Sequence, residues 1–172
     1  MEEIITEYPQ FFTATILEWE HLLRRDKYKD IIISSLRFMA ERNRIMLYAF
    51  VIMSNHLHLI WQMRGGVKAE AVQRDFMKFT AQQIKRDMEK HHRTELQRYK
   101  VAAKDRQYQF WERNALSVEL RTEEVFEQKL NYIHNNPVKA GICKLPETYK
   151  YSTARFYEKG EKDWDFVTHY KG

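Results

Sequence analysis

The chain has 172 residues, 44% of them hydrophobic, with only 5 Gly and 3 Pro. This excludes a disordered, collagen-like or low-complexity chain and is enough to enclose a core without disulfide or metal staples. With 29 Lys and Arg against 24 Asp and Glu, the formal net charge is +5, a modest excess that does not repel anionic partners.

Other global features narrow the class further. The single cysteine, Cys143, excludes a disulfide scaffold and a thiolate zinc site. The longest apolar run, Ile45 to Met53, is far short of the roughly 20 residues of a membrane span. Glu2 and Glu3 open the chain, and no basic-then-apolar leader follows them. A soluble, cytoplasmic protein with no membrane contact is expected. With no internal repeat and no Pro/Ser/Gly-rich linker, residues 1–172 are expected to form one domain.

In chain order, Phe11 to Leu17 alternates bulky and small residues and predicts a strand. Tyr28, Ile32, Leu36 and Met39 recur at helical spacing and predict a helix over 26–42. Ile45 to Met53 is apolar and rich in β-branched and aromatic residues, as in a buried strand. Ser54-Asn55 is a polar break, and His56 to Met63 is a second strand, completing a hairpin. Met77, Ala81, Ile84 and Met88, widened by Phe76 and Thr80, predict a long helix. The polar segment from His91 to Gln107 fits either a helical extension or a mobile loop.

A fourth strand is expected over 114–120, where Leu116, Val118 and Leu120 alternate with Ser117 and Glu119. Thr122 is placed to cap a last long helix, with Glu123 and Glu124 favourable to its dipole. Pro137 should end that helix near Asn136. Residues 146–172, with Tyr149, Tyr151, Phe156 and Tyr157, are expected to pack as a C-terminal strap or short helix. The order β-α-β-β-α-β-α is that of an α+β, ferredoxin-like or RRM-like layer: an antiparallel sheet with helices on one face. Many functions share that fold.

Three segments carry chemistry. In His56-Leu57-His58, residues two apart on a strand point to one face, so two imidazoles project together and are able to chelate a cation. The same short pattern also occurs in histidine pairs that bind nothing. On the last helix, Phe126, Leu130 and Ile133 mark the buried stripe. Tyr132 lies about 200° around the axis from Leu130, on a face shared with Gln128 and Asn136. This directs a phenol and a carboxamide together, or is simply an exposed tyrosine beside a capping asparagine. Finally, Arg64 to Arg106 holds 12 Lys and Arg and 6 Asp and Glu, more than the whole chain's positive excess. With aromatic rings nearby, that stretch suits single-stranded nucleic acid; it also fits a solvated helix face.

Together these segments resemble a known family. Met53-Ser54-Asn55-His56-Leu57-His58-Leu59-Ile60 is similar to the MPNHxHL signature of single-tyrosine HUH transposases. Tyr132-Ile133-His134-Asn135-Asn136-Pro137-Val138-Lys139-Ala140-Gly141 resembles the YIHxNPVRAG signature of the REP-associated branch. The segments Asp75 to Thr80 and Pro146 to Ser152 resemble that branch's DFKKFT helix and P-x-x-Y-x-x-S stretch. The resemblance runs from about Phe11 to Tyr157. Ser54 departs from the family's proline, and Lys139 replaces an arginine, keeping the charge but losing a bidentate fork.

The resemblance implies His56, His58 and Asn136 as metal ligands and Tyr132 as nucleophile. It also implies single-stranded or hairpin DNA as the partner, with cleavage and rejoining through a 5′-phosphotyrosine bond. Two imidazoles and one carboxamide leave coordination positions open, which suits Mg²⁺ or Mn²⁺ better than a closed structural zinc. His134 is either an assisting group or structural. Arg74, Lys78, Lys85, Arg86 and Arg113 are candidate phosphate contacts, and Trp111 or Phe110 a candidate base stack. Insertion-sequence relatives act as dimers and REP-associated ones as monomers, so either a monomer or a homodimer is implied. Two rivals stay open. One is a catalytically silent hairpin-binding protein of the same fold, and the other is a hydrolase in which the histidine pair activates water.

Overall fold

A computed structural model describes residues 8–172. Four strands, β1 (Gln10–Thr15), β2 (Ile45–Ile52), β3 (His56–Met63) and β4 (Leu116–Glu119), form an antiparallel sheet in the order β2-β3-β1-β4. Five helices accompany it: α1 (Asp26–Glu41), α2 (Ala69–His91), α3 (Arg93–Leu96), α4 (Glu123–Lys139) and α5 (Ala154–Lys159). The expected element order is present, and the polar stretch after α2 resolves into the short α3 and a 3₁₀ turn at Gln97–Tyr99.

The sheet has two apolar faces because its strands alternate. Phe12, Ala14, Leu57, Leu59 and Trp61 point to the larger core with α1 and α2. On α2 the fully buried positions are Val72, Phe76, Thr80, Ile84 and Met88, spaced by four. Phe76 and Thr80 are thus the centre of the stripe, and Met77 and Ala81 are its half-buried margin. Phe11, Val51, Ile60 and Ala49 point to the other face, where Phe126, Leu130 and Ile133 of α4 cover them. The expectation of helices on one face is therefore corrected. A two-residue period puts apolar residues on both sides of β1 to β3, and both sides need a cover.

Two local expectations also change, and two hold. The helix carrying Tyr132 does not stop before Pro137 but runs to Lys139. The missing proline N–H affects only the last turn, and Ala140 N still donates to the Asn136 carbonyl at 3.0 Å. Thr122 does cap this helix, its hydroxyl accepting from Val125 N at 3.2 Å. In β4, Leu116 and Val118 are exposed despite their alternation, because β4 is an edge strand that α2 meets through the polar Gln73–Ser117 contact at 3.2 Å and not through an apolar stripe. The C-terminal segment closes the opposite edge. Tyr151 O accepts from Ile52 N at 2.9 Å, and Thr168 N donates to Leu47 O at 2.9 Å, so β2 is not left unpaired. No helix among the described residues is long and apolar enough to cross a membrane.

Candidate active site

His56 and His58 share the α4 side of β3, and their ring centroids lie 5.0 Å apart. Each is held through its Nδ1. His56 Nδ1 is 2.7 Å from Asn55 Oδ1, and His58 Nδ1 is 2.8 Å from Thr13 Oγ1, the residue opposite it on β1. Asn55 Oδ1 can only accept, so His56 carries its proton on Nδ1. The same tautomer of His58 places its N–H on the Thr13 hydroxyl. The His58 Nε2 lone pair is then left for a ligand, with the outer partners fixing ring orientation. The Asn136 carboxamide hydrogen-bonds the His56 ring.

Burial keeps both imidazoles neutral. The His58 side chain is 5% exposed, and its pKa falls to about 3 through desolvation, then through the His56 and Lys129 charges. The His56 pKa is also lowered by desolvation, partly offset by the Asn136 hydrogen bond. Neutral imidazoles are what a cation needs as ligands. Among the described residues no group of three or more His, Cys, Asp or Glu could hold a metal ion. The donors that could hold a cation at this place are two imidazole nitrogens and a carboxamide oxygen. Such a set fits a divalent cation that keeps open positions, and is too sparse for a closed structural site.

Tyr132 comes to this pair from a separate element. It sits on α4, 44% exposed, with its ring centroid 5.3 Å from that of His58. Phe11 of β1 wedges the arrangement. It stacks on His58 at 5.2 Å and meets the Tyr132 ring edge-on at 5.9 Å. Lys129, one turn before Tyr132, places Nζ 4.8 Å from the Phe11 ring and 5.6 Å from the Tyr132 ring. A cation thus stands beside the phenol. Lys129 escapes a sequence reading, although its i−3 position relative to Tyr132 was the available signal. Thr13 had no such signal, since only strand pairing brings it to His58.

Ser54, where the family signature has proline, forms part of the turn through its hydroxyl. Its Oγ is 2.7 Å from His21 Nδ1, its carbonyl accepts from Leu23 N, and Met53 N donates to His56 O to close the hairpin. His134 lies elsewhere. It is buried, its Nε2 is 2.8 Å from Thr153 Oγ1, its ring faces Tyr157, and burial lowers its pKa to about 4. Its partners belong to the contact between α4 and the C-terminal segment, which makes it a packing residue and not an assistant to Tyr132.

The expected DNA contacts divide. Arg74, Lys78, Lys85 and Arg113, with Arg106, line a groove of about 610 Å³ between α2 and residues 105–113. Arg86 does not line it. Trp111 lines it too, but is only 6% exposed and donates its indole N–H to Thr80 Oγ1 at 3.1 Å. Phe110 is likewise buried, tilted on Tyr99. The stack expected on either ring is corrected on that ground, because a ring enclosed by the core has no free face for a base. Half-buried Tyr108, with Lys85 Nζ 5.5 Å over its ring, is the more accessible aromatic of the groove.

No protein-family model matches the sequence, and no curated protein matches it. Solved structures do. One is a REP-associated tyrosine transposase bound to a REP hairpin, at 20% identity and a TM-score of 0.65, covering 100% of this chain and 94% of that one. Another is a chain from Deinococcus radiodurans R1 described as a candidate transposase, at 15% identity and a TM-score of 0.50, covering 78% of this chain and 97% of that one. At these identities the likeness is one of fold. Over its described residues the chain shares the α+β architecture of that REP-associated tyrosine transposase.

Proposed function

We propose that this protein cleaves and rejoins single-stranded or hairpin DNA, with Tyr132 as nucleophile and His56, His58 and Asn136 as the ligands of a divalent cation. The observation that carries the reading is the approach of the Tyr132 ring to within 5.3 Å of the His58 ring, from a helix far along the chain. A water-activating hydrolase would have no use for that phenol. The fold's likeness to a transposase bound to hairpin DNA supports the same reading.

In this mechanism the Tyr132 oxygen attacks phosphorus of the scissile diester. The new Oη–P bond forms as the P–O3′ bond breaks, and the phenol proton ends on the departing 3′-oxygen. The product is a 5′-phosphotyrosine, which keeps the energy of the diester, so that a 3′-hydroxyl can reverse the step without a nucleotide cofactor. Lys129, with Nζ 5.6 Å from the Tyr132 ring, places a positive charge beside the phosphate that Tyr132 attacks. Phe11 holds the Tyr132 and His58 rings in register. A bound Mg²⁺ or Mn²⁺ supplies charge withdrawal from, and orientation of, the phosphate oxygens.

The test is incubation of the protein with Mn²⁺ and end-labelled hairpin DNAs carrying single-stranded flanks. A covalent protein–DNA adduct should form, disappear in Tyr132→Phe, and require the divalent cation. Binding without any adduct would assign the chain to the silent DNA-binding alternative. Cleavage that survives Tyr132→Phe with free ends would assign it to a hydrolase.

A further inference from the structure

We propose that the indole of Trp19 is a stacking platform for a nucleobase adjacent to the scissile phosphate, an inference that rests on the cleavage reading above. Trp19 is 61% exposed, an unusual position for so large an apolar side chain. Its only ring contact among the described residues is with His56, edge-on at 6.1 Å between centroids. Trp19 therefore has almost no packing role, yet it stands at the rim of the histidine pair.

Its backbone is held there against preference. Glu18 and Trp19 both adopt left-handed conformations, at φ 55° and 56°. Such consecutive non-glycine residues are strained, and persist only where surroundings impose them. The imposing contacts come from two sides. Ile16 N donates to Asn55 O at 2.9 Å, tying the turn to the histidine hairpin. Leu17 N donates to Phe110 O at 2.8 Å, and Glu18 N to Glu112 Oε1 at 2.6 Å, tying it to the wall of the basic groove. Trp19 thus sits on a bridge between the groove and the candidate active site, where a strand running from one to the other must pass.

Charge selects which part of that strand meets the indole. Glu18 and Glu112 flank the turn, and Glu20 is paired with Arg98 at 3.9 Å, so the turn offers a phosphate no unpaired cation of its own. The cations lie beyond, on the groove side. A neutral base face is the moiety the indole accepts, and stacking of this kind tolerates any base. The platform would fix the position of the nucleotide beside the histidine pair, while the groove carries the backbone.

The experiment uses the full chain and a DNA hairpin with a single-stranded flank, unmodified or with one abasic position moved along the flank. Binding should quench tryptophan emission in the wild type, and Trp19→Phe should remove most of the quench while retaining most of the affinity. Trp19→Ala should weaken binding and slow adduct formation about tenfold, close to 1.4 kcal/mol. At one abasic position the wild type should fall to the same level, with no further loss in Trp19→Ala. Unchanged affinity and rate in Trp19→Ala, or equal losses on intact and abasic DNA, overturns the platform alone. No adduct from the wild type, with the Trp19-dependent quench intact, overturns the cleavage reading and leaves base binding at Trp19 standing.

Discussion

The role of Lys129 can be separated from that of Tyr132 by what each removal leaves behind. Loss of Tyr132 removes the attacking atom, whereas Lys129→Gln removes only a nearby charge. Lys129→Gln should therefore still form the adduct, more slowly by roughly ten- to a hundredfold, the scale of a single electrostatic contact to a reacting group. Slower adduct formation at unchanged DNA affinity, with partial recovery in Lys129→Arg, would mark the lost charge. An unchanged rate would place Lys129 outside the chemistry. His134 acts on stability instead. Its folded pKa of about 4 lies below the ordinary 6.5, so on acidification the unfolded chain takes a proton that the folded chain refuses. Stability should fall as pH drops from 6.5 toward 4, by about 1.4 kcal/mol per pH unit at most for this group. Urea midpoints at pH 7 and pH 5 would check the sign, with a shallower dependence in His134→Gln.

Among the elements, α4 decides the site, because it alone brings Tyr132 and Asn136 to a face of the sheet that already holds the histidines. Its attachment is apolar: Phe126, Leu130 and Ile133 against Phe11, Val51 and Ile60. Ile133 is fully buried, so Ile133→Ala should cost about 2–4 kcal/mol through lost burial and the cavity left behind. Chemical unfolding would measure this, and adduct formation should suffer more than DNA binding, since the basic groove lies on α2. The same element shows the reach of sequence reasoning. The buried stripe and the cap at Thr122 were legible because each depends on local spacing. The exact end of the helix was not, because a proline in the last turn removes only one hydrogen bond and the packing of Pro137 and Ile133 carries the helix past it.

For the molecule as a whole, the groove and the site form one path, joined by the turn at residues 16–20. Its cations should act together in counterion release. Replacing Arg74, Lys78 and Lys85 by Ala should reduce the slope of log affinity against log salt by about 2, from roughly 0.7 per phosphate on a single strand. Titrations between 50 and 200 mM salt would read this directly. An unchanged slope would mean that the strand bypasses the groove. The positive excess over 64–106 was visible in the sequence, but which of those cations share a groove was not: Arg86 is one residue from Lys85 and faces elsewhere.

Residues a few positions apart obey backbone geometry, and so the paired histidines, the Tyr132–Asn136 face and the order of elements could all be read from one dimension. Contacts across the chain obey packing. The packing of Phe11 against both His58 and Tyr132, the Thr13 partner of His58, and the burial of Trp111 each join segments separated by dozens of residues. No local periodicity encodes such meetings. They arise when an alternating sheet presents two apolar faces and separate helices close over each, leaving a phenol, a lysine and two imidazoles at the one seam where α4 meets β3.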